Sequence, residues 1–324
     1  MSLFSNQILE LIILPTEQCN FRCKYCYEDF LGSKITESHV QSIKQLISKR
    51  ASDLKQLRIG WFGGEPLLVK EIIFDISSHC TNLAKEYNLS YESGMSTNGY
   101  LLMIDDAKRL IENGITDYQI TLDGPKQVHD KTRVKKNGTG TFIKIWENII
   151  NLKRSNLDFK INLRIHLSKD NINYIRDFIP TLTDTFNGDK RFRLFFKTIE
   201  QLKSQNTHKI KTFSEYERLK YTNELVCLVK KKNVQTLNPD SSYICYAGRP
   251  TSFVIRQDGT IAKCTVGLDD QINQIGKLRS NGKLEIIQER IRPWLIGALK
   301  GDKDFLKCPR RHIGEFKNLG LSLD

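Results

Sequence analysis

The chain has 324 residues, 39% of them hydrophobic, with 20 glycines and 8 prolines; it can bury a large core and is neither fibrous nor low in complexity. Fifty Lys and Arg against 37 Asp and Glu leave a net charge of +13, a field that favours acidic partners. The basic residues are dispersed, however, in small clusters (KKNGTG, KSQNTHKIK, VKKKN), with no nucleic-acid-binding fingerprint around them.

From the N-terminus, MSLFSNQILELIILP carries only a short apolar run, without a basic n-region or a small-residue cleavage site, and reads as the approach to a strand. No apolar stretch nears the roughly 20 residues needed to cross a bilayer, so a cytoplasmic protein without membrane contact is expected. Strand-like runs follow at 10–16, 58–63, 90–97, 117–124, 160–167 and 191–198. Between them lie helix-like segments with apolar residues at i, i+3, i+4 and i+7: ESHVQSIKQLISKR, VKEIIFDISSHCTNLAKEYN, IDDAKRLIENG, TFIKIWENIINLKRS and INYIRDFIPTLTDTF. Alternation over six units predicts an α/β fold with a parallel sheet, open or curled toward a barrel, whose ligands bind at the carboxyl ends of the strands. The residues that do not look like core fall there: CNFRCKYC after the first strand, GGEP after the second, STNG after the third, LDGP after the fourth.

Cys19, Cys23 and Cys26 crowd into eight residues with no fourth cysteine beside them. Where thiols stay reduced, such a group serves zinc, an iron–sulfur cluster or thiol redox chemistry. Structural zinc wants a closed set of four ligands, and His39 is too far along the chain to complete one; a redox pair needs two thiols. Three thiolates on a cubane leave one iron open to an outside ligand, the kind of vacancy a catalytic site requires.

The spacing CxxxCxφC, Cys19-Asn20-Phe21-Arg22-Cys23-Lys24-Tyr25-Cys26, resembles the signature of the radical S-adenosylmethionine (SAM) enzymes. The resemblance implies a [4Fe–4S] cluster on the three cysteines and SAM on the open iron, cleaved reductively to a 5′-deoxyadenosyl radical that abstracts a substrate hydrogen. Tyr25 occupies the aromatic position that faces the adenine in this family. WFGGEP resembles its GGE motif, so Gly63, Gly64 and Glu65 are expected at the methionine amino group, where glycines allow close approach and a carboxylate pairs with an ammonium. Ser96, Thr97 and Asn98 resemble the segment lining the ribose side. ITLDGPKQVHDKTR resembles the LDGP-xxx-HDxxR stretch of the SPASM/twitch branch, which implies Thr121 and Asp123 near SAM and Arg133 toward SAM or substrate. Arg164 and His166, at the end of the fifth strand, are expected to line the same site, Arg164 among the cofactor-binding residues. The implied architecture is a partial (β/α)6 TIM barrel over 1–200, followed over 201–324 by a linker helix and a truncated SPASM/twitch-like domain.

In that C-terminal part, VIRQDGTIAKC predicts a β-hairpin around Asp258-Gly259. Cys245, Gly259 and Cys264 fit the opening of a SPASM or twitch domain, whose dense second cysteine group is here reduced to Cys308; Arg311 stands where a CxxC would continue. The resemblance thus implies one auxiliary [4Fe–4S] cluster on Cys245, Cys264 and Cys308. The competing reading is a degenerate domain that binds nothing. Cys80 and Cys227 lie in apolar helical contexts and read as core.

No general base, hydrogen donor or other catalytic side chain is identifiable. The reading is a peptide maturase that forms a carbon–carbon or thioether crosslink. Its alternative is a twitch-type enzyme acting on a small molecule such as a sugar alcohol or nucleotide. Thr265 follows Cys264 where sulfatase maturases typically carry an acidic residue, so formylglycine formation is not expected. Eighteen residues precede Cys19, fewer than a winged-helix leader binder needs. Expected partners are therefore a precursor peptide with an acidic leader, bound by the C-terminal domain or by a separate leader-binding protein, and an external electron donor of flavodoxin or ferredoxin type.

Overall fold

The computed structural model describes residues 4–30, 32–200, 211–237 and 243–318. They fall into two compact units: Met1–Glu17, Gly32–Ser93 and Pro239–Asp324 form the first, Gln18–Leu31 and Gly94–Asn238 the second. Among the described residues no helix is long and apolar enough to cross a membrane.

In the first unit, β1 (Ile8–Ile13) and β2 (Gln56–Trp61) pair in parallel, Ile8 opposite Gln56 through Ile13 opposite Trp61. Both strands alternate, burying Leu9, Leu11 and Ile13, then Leu57, Ile59 and Trp61. Such a pattern belongs to a sheet with one face against an apolar layer. That layer includes α1 (Glu37–Ala51), capped by the Thr36 hydroxyl, and α2 (Lys70–Glu86), whose Ile73, Ile76 and Cys80 are fully buried. Strand β3 (Ser90–Thr97) starts in this unit, where Ser90 N–H donates to Lys55 O, and finishes in the second.

The C-terminal segment extends the same sheet. β8 (Ser252–Ile255) pairs in parallel with β1, Glu10 opposite Ser252. β9 (Thr260–Ala262) folds back on β8 through the Asp258-Gly259 turn; Gly259 has φ +77, a conformation glycine adopts without penalty. β10 (Gln274–Leu278) and β11 (Leu284–Ile286) add two antiparallel strands. The helices α8 (Gln288–Lys300), α9 (Lys303–Lys307) and α10 (Pro309–Asn318) follow. The hairpin is the expected one; its parallel partner β1, distant in sequence, is what the local pattern did not reveal.

In the second unit, β4 (Ile115–Leu122), β5 (Lys160–Leu167) and β6 (Phe192–Thr198) pair in parallel, with a two-residue β7 (Gln235–Thr236) beside β6. Their odd-even alternation separates Ile161, Leu163, Ile165 and Leu167, all fully buried, from Asn162, Arg164 and His166 on the opposite face. The crossovers are α3 (Ile104–Glu112), α4 (Lys126–Thr132), α5 (Phe142–Arg154), α6 (Ile172–Phe186) and α7 (Glu215–Lys230). α6 keeps its expected limits despite Pro180 inside it. α7 opens on a full capping box between Ser214 and Glu217. The basic linker expected before it, at 201–210, lies outside the described residues. One expectation fails here: Cys227 is exposed. α7 buries Leu225, Val226 and Val229, so its apolar stripe passes beside Cys227 and leaves the thiol on the outer face. Cys80 is buried, as expected.

Candidate active site

The cysteine loop belongs to the second unit and is laced to the segment after α4 by main-chain bonds. Arg22 N–H donates to Val134 O at 2.8 Å, Lys24 N–H to Thr132 O at 2.9 Å, and Phe21 forms a β-bridge with Lys135. Phe21 is fully buried, edge-on to Tyr100 at 5.7 Å. The Arg22 guanidinium donates to Cys19 O at 2.8 Å and Phe21 O at 2.6 Å, closing the loop on itself. Asn98 donates through Nδ2 to Asn20 Oδ1 at 2.8 Å and lies 3.9 Å from Cys19 Sγ. Of the STNG side chains, Asn98 thus reaches the cysteine loop; Ser96 accepts from Gln119 Nε2 and Thr97 from Gly99 N–H.

Beneath the loop lies a buried polar network. Tyr25 Oη donates to Asp123 Oδ1 at 2.8 Å and accepts from Arg133 Nη1 at 2.8 Å; Thr132 Oγ1 donates to Asp123 Oδ2 at 2.6 Å. Asp123 is fully buried. Burial alone would raise its carboxyl, but the nearby His166 ring and the Arg133 guanidinium outweigh it and hold the group well below the usual carboxylate range. Burial drives the Tyr25 phenol well above its ordinary value, against the pull of Arg133. Burial likewise lowers His166, with Arg164 adding to it, to about 4, so the ring is neutral. His166 Nδ1 stands 3.5 Å from Asp123 Oδ1, and its ring meets Tyr25 edge-on at 5.0 Å.

Three residues of the LDGP-HDxxR stretch do structural work that sequence alone did not assign. His129 is fully buried; its Nδ1 accepts from Asp123 N–H at 3.4 Å and its Nε2 meets Thr141 Oγ1 at 3.1 Å. Asp130 Oδ1 accepts from Thr141 N–H (2.7 Å) and Phe142 N–H (2.9 Å), satisfying donors at the start of α5. Thr132 anchors both Asp123 and the cysteine loop. Asp123 and Arg133 are the residues of this run that bond Tyr25. Thr121 is buried at the end of β4 and opposes Arg164 of β5.

Gly63, Gly64 and Glu65 lie in the first unit. Gly63 has φ +116, and a Cβ there would stand 2.2 Å from Thr16 O, so only glycine fits. Gly64 N–H donates to Thr16 O at 3.2 Å. The Glu65 carboxylate, fully buried, accepts from Leu67 N–H at 3.1 Å and caps a short 3-10 turn at Pro66–Val69.

Cys245, Cys264 and Cys308 also belong to the first unit and lie within electrostatic reach of one another. Cys245 N–H donates to Leu306 O at 2.9 Å, which ties it to the helix preceding Cys308. Burial raises the Cys245 and Cys264 thiols, the latter to about 11, and repulsion from the Cys308 thiol adds to both. Asn273 organises the loop between β9 and β10: its Oδ1 accepts from Lys263 N–H (3.0 Å) and Cys264 N–H (2.9 Å), and its Nδ2 donates to Cys264 O (2.8 Å) and Gly267 O (3.0 Å). Tyr246 Oη accepts from Thr265 N–H at 2.9 Å. Lys263 is fully buried, its Nζ donating to Arg249 O and Ser252 O, each at 2.6 Å.

Both thiol groups fit thiolate ligation in one specific respect. Phe21 N–H points to Cys19 Sγ at 3.3 Å and Val266 N–H to Cys264 Sγ at 3.4 Å. Glu28 and Ala247 do the same for Cys26 and Cys245. In each case the donor is two residues beyond the cysteine, an arrangement that stabilises a sulfur carrying negative charge. The core cysteine Cys80 is instead approached by the Tyr91 side chain. Cys26 feels repulsion from both Cys23 and Cys19, so the three loop thiols share one neighbourhood. Among the described residues no three His, Cys, Asp or Glu side chains stand ready for a single metal ion; the donor set suits a polynuclear iron–sulfur cluster.

A model of the radical SAM superfamily matches residues 13–179. The chain belongs to that superfamily. Membership implies a [4Fe–4S] cluster, SAM, and SAM cleavage as the general chemistry. This radical SAM protein is 24% identical, over 93% of its length and 85% of the relative's, to a cysteine-type anaerobic sulfatase-maturating enzyme of Clostridium novyi (strain NT). It is 31% identical to a GTP 3′,8-cyclase of Aliarcobacter butzleri (strain RM4018), over 49% of this chain and 47% of the relative. Among solved structures, native anSMEcpe with bound AdoMet and Cp18Cys peptide superposes with a TM-score of 0.67 and 18% identity, covering 93% of this chain and 88% of that one. The fold class is accordingly that expected, a parallel-stranded radical SAM α/β barrel fold with antiparallel C-terminal strands.

Proposed function

We propose that this radical SAM protein abstracts a hydrogen atom from a peptide and forms a carbon–carbon or thioether crosslink in it. The observation that supports this most is the second thiol set, Cys245, Cys264 and Cys308, brought together in the C-terminal segment. A crosslink is a two-electron oxidation of the peptide, and a redox centre inside the chain answers the need for an acceptor. The sulfatase-maturating relative matches nearly the whole chain, C-terminal segment included, whereas the nucleotide cyclase matches about half. That half-length likeness favours the second reading, a small-molecule substrate such as a nucleotide.

In this reading Cys19, Cys23 and Cys26 hold one [4Fe–4S] cluster, and Cys245, Cys264 and Cys308 hold an auxiliary one. When bound, the first cluster and SAM supply a one-electron reduction that yields the 5′-deoxyadenosyl radical. Gly63 offers backbone without side-chain obstruction, and Glu65 provides a buried carboxylate for the methionyl ammonium. Tyr25, fixed between Asp123 and Arg133, presents an immobile ring to the adenine. Ser96, Thr97 and Asn98 are assigned to the ribose, and Thr121, Asp123 and Arg133 to SAM binding. Residues 1–200 act as the catalytic barrel and 201–324 as the auxiliary-cluster segment. Thr265, bonded to Tyr246, stands where sulfatase maturases typically carry an acidic residue, so this reading does not include formylglycine formation. The partners in this reading are an acidic-leader precursor peptide and a flavodoxin- or ferredoxin-type donor.

The test is iron and sulfide content after anaerobic reconstitution of the wild type and of Cys19→Ala/Cys23→Ala/Cys26→Ala. About four irons per chain retained by the variant is the expected result. Essentially none would leave a single-cluster enzyme and turn the search to redox-neutral reactions.

A further inference from the structure

Five buried polar atoms without a hydrogen-bond partner cluster in the second unit: Arg133 Nε, Asn162 Oδ1, Arg164 Nε, His166 Nδ1 and Arg193 Nε. Four of them lie on one face of β5 and β6, where the strand register stacks the side chains in rows. Gln119, Asn162 and Arg193 form the first row, Thr121, Arg164 and Phe195 the second, His166 and Lys197 the third. Buried polar groups are ordinarily satisfied, so a concentration of orphans on one face marks a surface built for something else to complete.

The cations of this face are not equivalent. Arg193 pairs with Asp117 at 3.3 Å, and Lys197 with Glu200 at 2.5 Å. Arg133 bonds Tyr25, whose hydroxyl in turn bonds Asp123. Arg164 has no hydrogen bond and no ion pair among the described residues. The ionisable groups that act on it are the Tyr25 and Tyr27 phenols, the Arg133 guanidinium, and Glu200, which already pairs with Lys197. A half-buried guanidinium whose Nε is buried without a partner is left incomplete, and its planar fork matches a carboxylate.

We propose that Arg164 is the docking point for a substrate carboxylate, an acidic side chain or a chain terminus of the peptide. This rests on the reading of the chain as a SAM-dependent peptide-modifying enzyme. The alternative source of a carboxylate is the methionyl end of SAM. That end is a zwitterion and needs an acceptor for its ammonium beside the cation, the role given above to the Glu65 carboxylate. Around Arg164 the unpaired charge is positive only, which suits a carboxylate carrying no adjacent ammonium.

The experiment compares the full-length reconstituted wild type with Arg164→Met and Arg164→Lys. Without ligand, Arg164→Met is expected to raise the melting temperature by about 2–4 °C, because a half-buried charge without an ion-pair partner is removed; a fall would mean that Arg164 has a structural partner and would overturn the proposal. N-acetyl-L-glutamate should raise the wild-type melting temperature, N-acetyl-L-glutamine should not, and Arg164→Met should erase the difference. Equal response of the wild type to both probes would overturn it. SAM affinity, measured by equilibrium dialysis, should change by less than about threefold in Arg164→Met; a loss of tenfold or more would assign the arginine to SAM instead. Failure of the wild type to bind SAM would sink the functional reading while leaving the two stability measurements to decide the role of Arg164. Arg164→Lys should keep the charge but lose most of the discrimination between probes.

Discussion

The two thiol sets are assembled by opposite routes. Cys19, Cys23 and Cys26 are neighbours in sequence, and the fold needs only to pin one loop, which it does through main-chain bonds to Thr132 and Val134. Cys245, Cys264 and Cys308 come from a turn, a strand end and a helix junction. They meet because Asn273 clamps the loop after β9 and Leu306 receives Cys245 N–H. A local ligand set tolerates tertiary loosening; a dispersed set exists only while the tertiary structure holds. The same sulfur-directed N–H two residues on appears in both, so that feature does not depend on how far apart in sequence the thiols lie.

The comparison can be broken from either side. Replacing all three loop cysteines by alanine should abolish 5′-deoxyadenosine formation, a loss beyond about 10³-fold, while near-ultraviolet circular dichroism stays unchanged. Asn273→Leu should lower stability by about 3 kcal/mol in urea unfolding, since the N–H groups of Lys263 and Cys264 and two carbonyls lose their partner. It should also halve the iron bound by the loop-cysteine triple variant, or worse; undiminished iron would mean that the dispersed set is self-supporting. Tyr25→Phe removes the hydroxyl shared by Asp123 and Arg133 and should cost about 1–3 kcal/mol, with SAM binding weakened more than the iron content.

The smallest expected effect is Asp130→Asn, about 1 kcal/mol, because Asp130 completes the start of α5 and otherwise pairs only with the exposed Lys126. Its pH dependence has a definite sign. Burial raises this carboxyl, but the Phe142 N–H, Lys126 and Thr141 N–H outweigh it and leave the folded group below its ordinary value. Its contribution is therefore complete above the unfolded carboxyl's range and is lost as pH falls through the lowered folded value. Wild type and variant should differ at pH 7 and converge in acid.

Much of the barrel was legible because its signals are local. Six alternating strands, the cysteine spacing, the Gly63 turn and the Asp258-Gly259 hairpin each depend on residues close in sequence. What escaped reading depends on distant partners. The parallel pairing of β8 with β1 joins Ser252 to Glu10, and no pattern around either residue announces it. Cys227 was misjudged because ELVCLV is apolar at nearly every position, so its composition could not say which flank faces out. His129 and Asp130 were visible as a motif, yet their structural work became clear only with Thr141 and Phe142 in place. The lone guanidinium of Arg164 is invisible in sequence, since an absent partner leaves no letter.

The pairing of β8 with β1 also gives the chain a timetable. At about 5–20 residues per second, the interval between synthesis of Glu10 and of its partner Ser252 is roughly 12–50 s. Throughout that interval β1 has one edge without its neighbour, and the cysteine loop that leaves its end hangs from an unfinished sheet. A nascent chain halted before residue 252 would carry β1 with one edge open to pairing with other molecules. Completion of the sheet beside β1 is thereby tied to synthesis of the last quarter of the polypeptide.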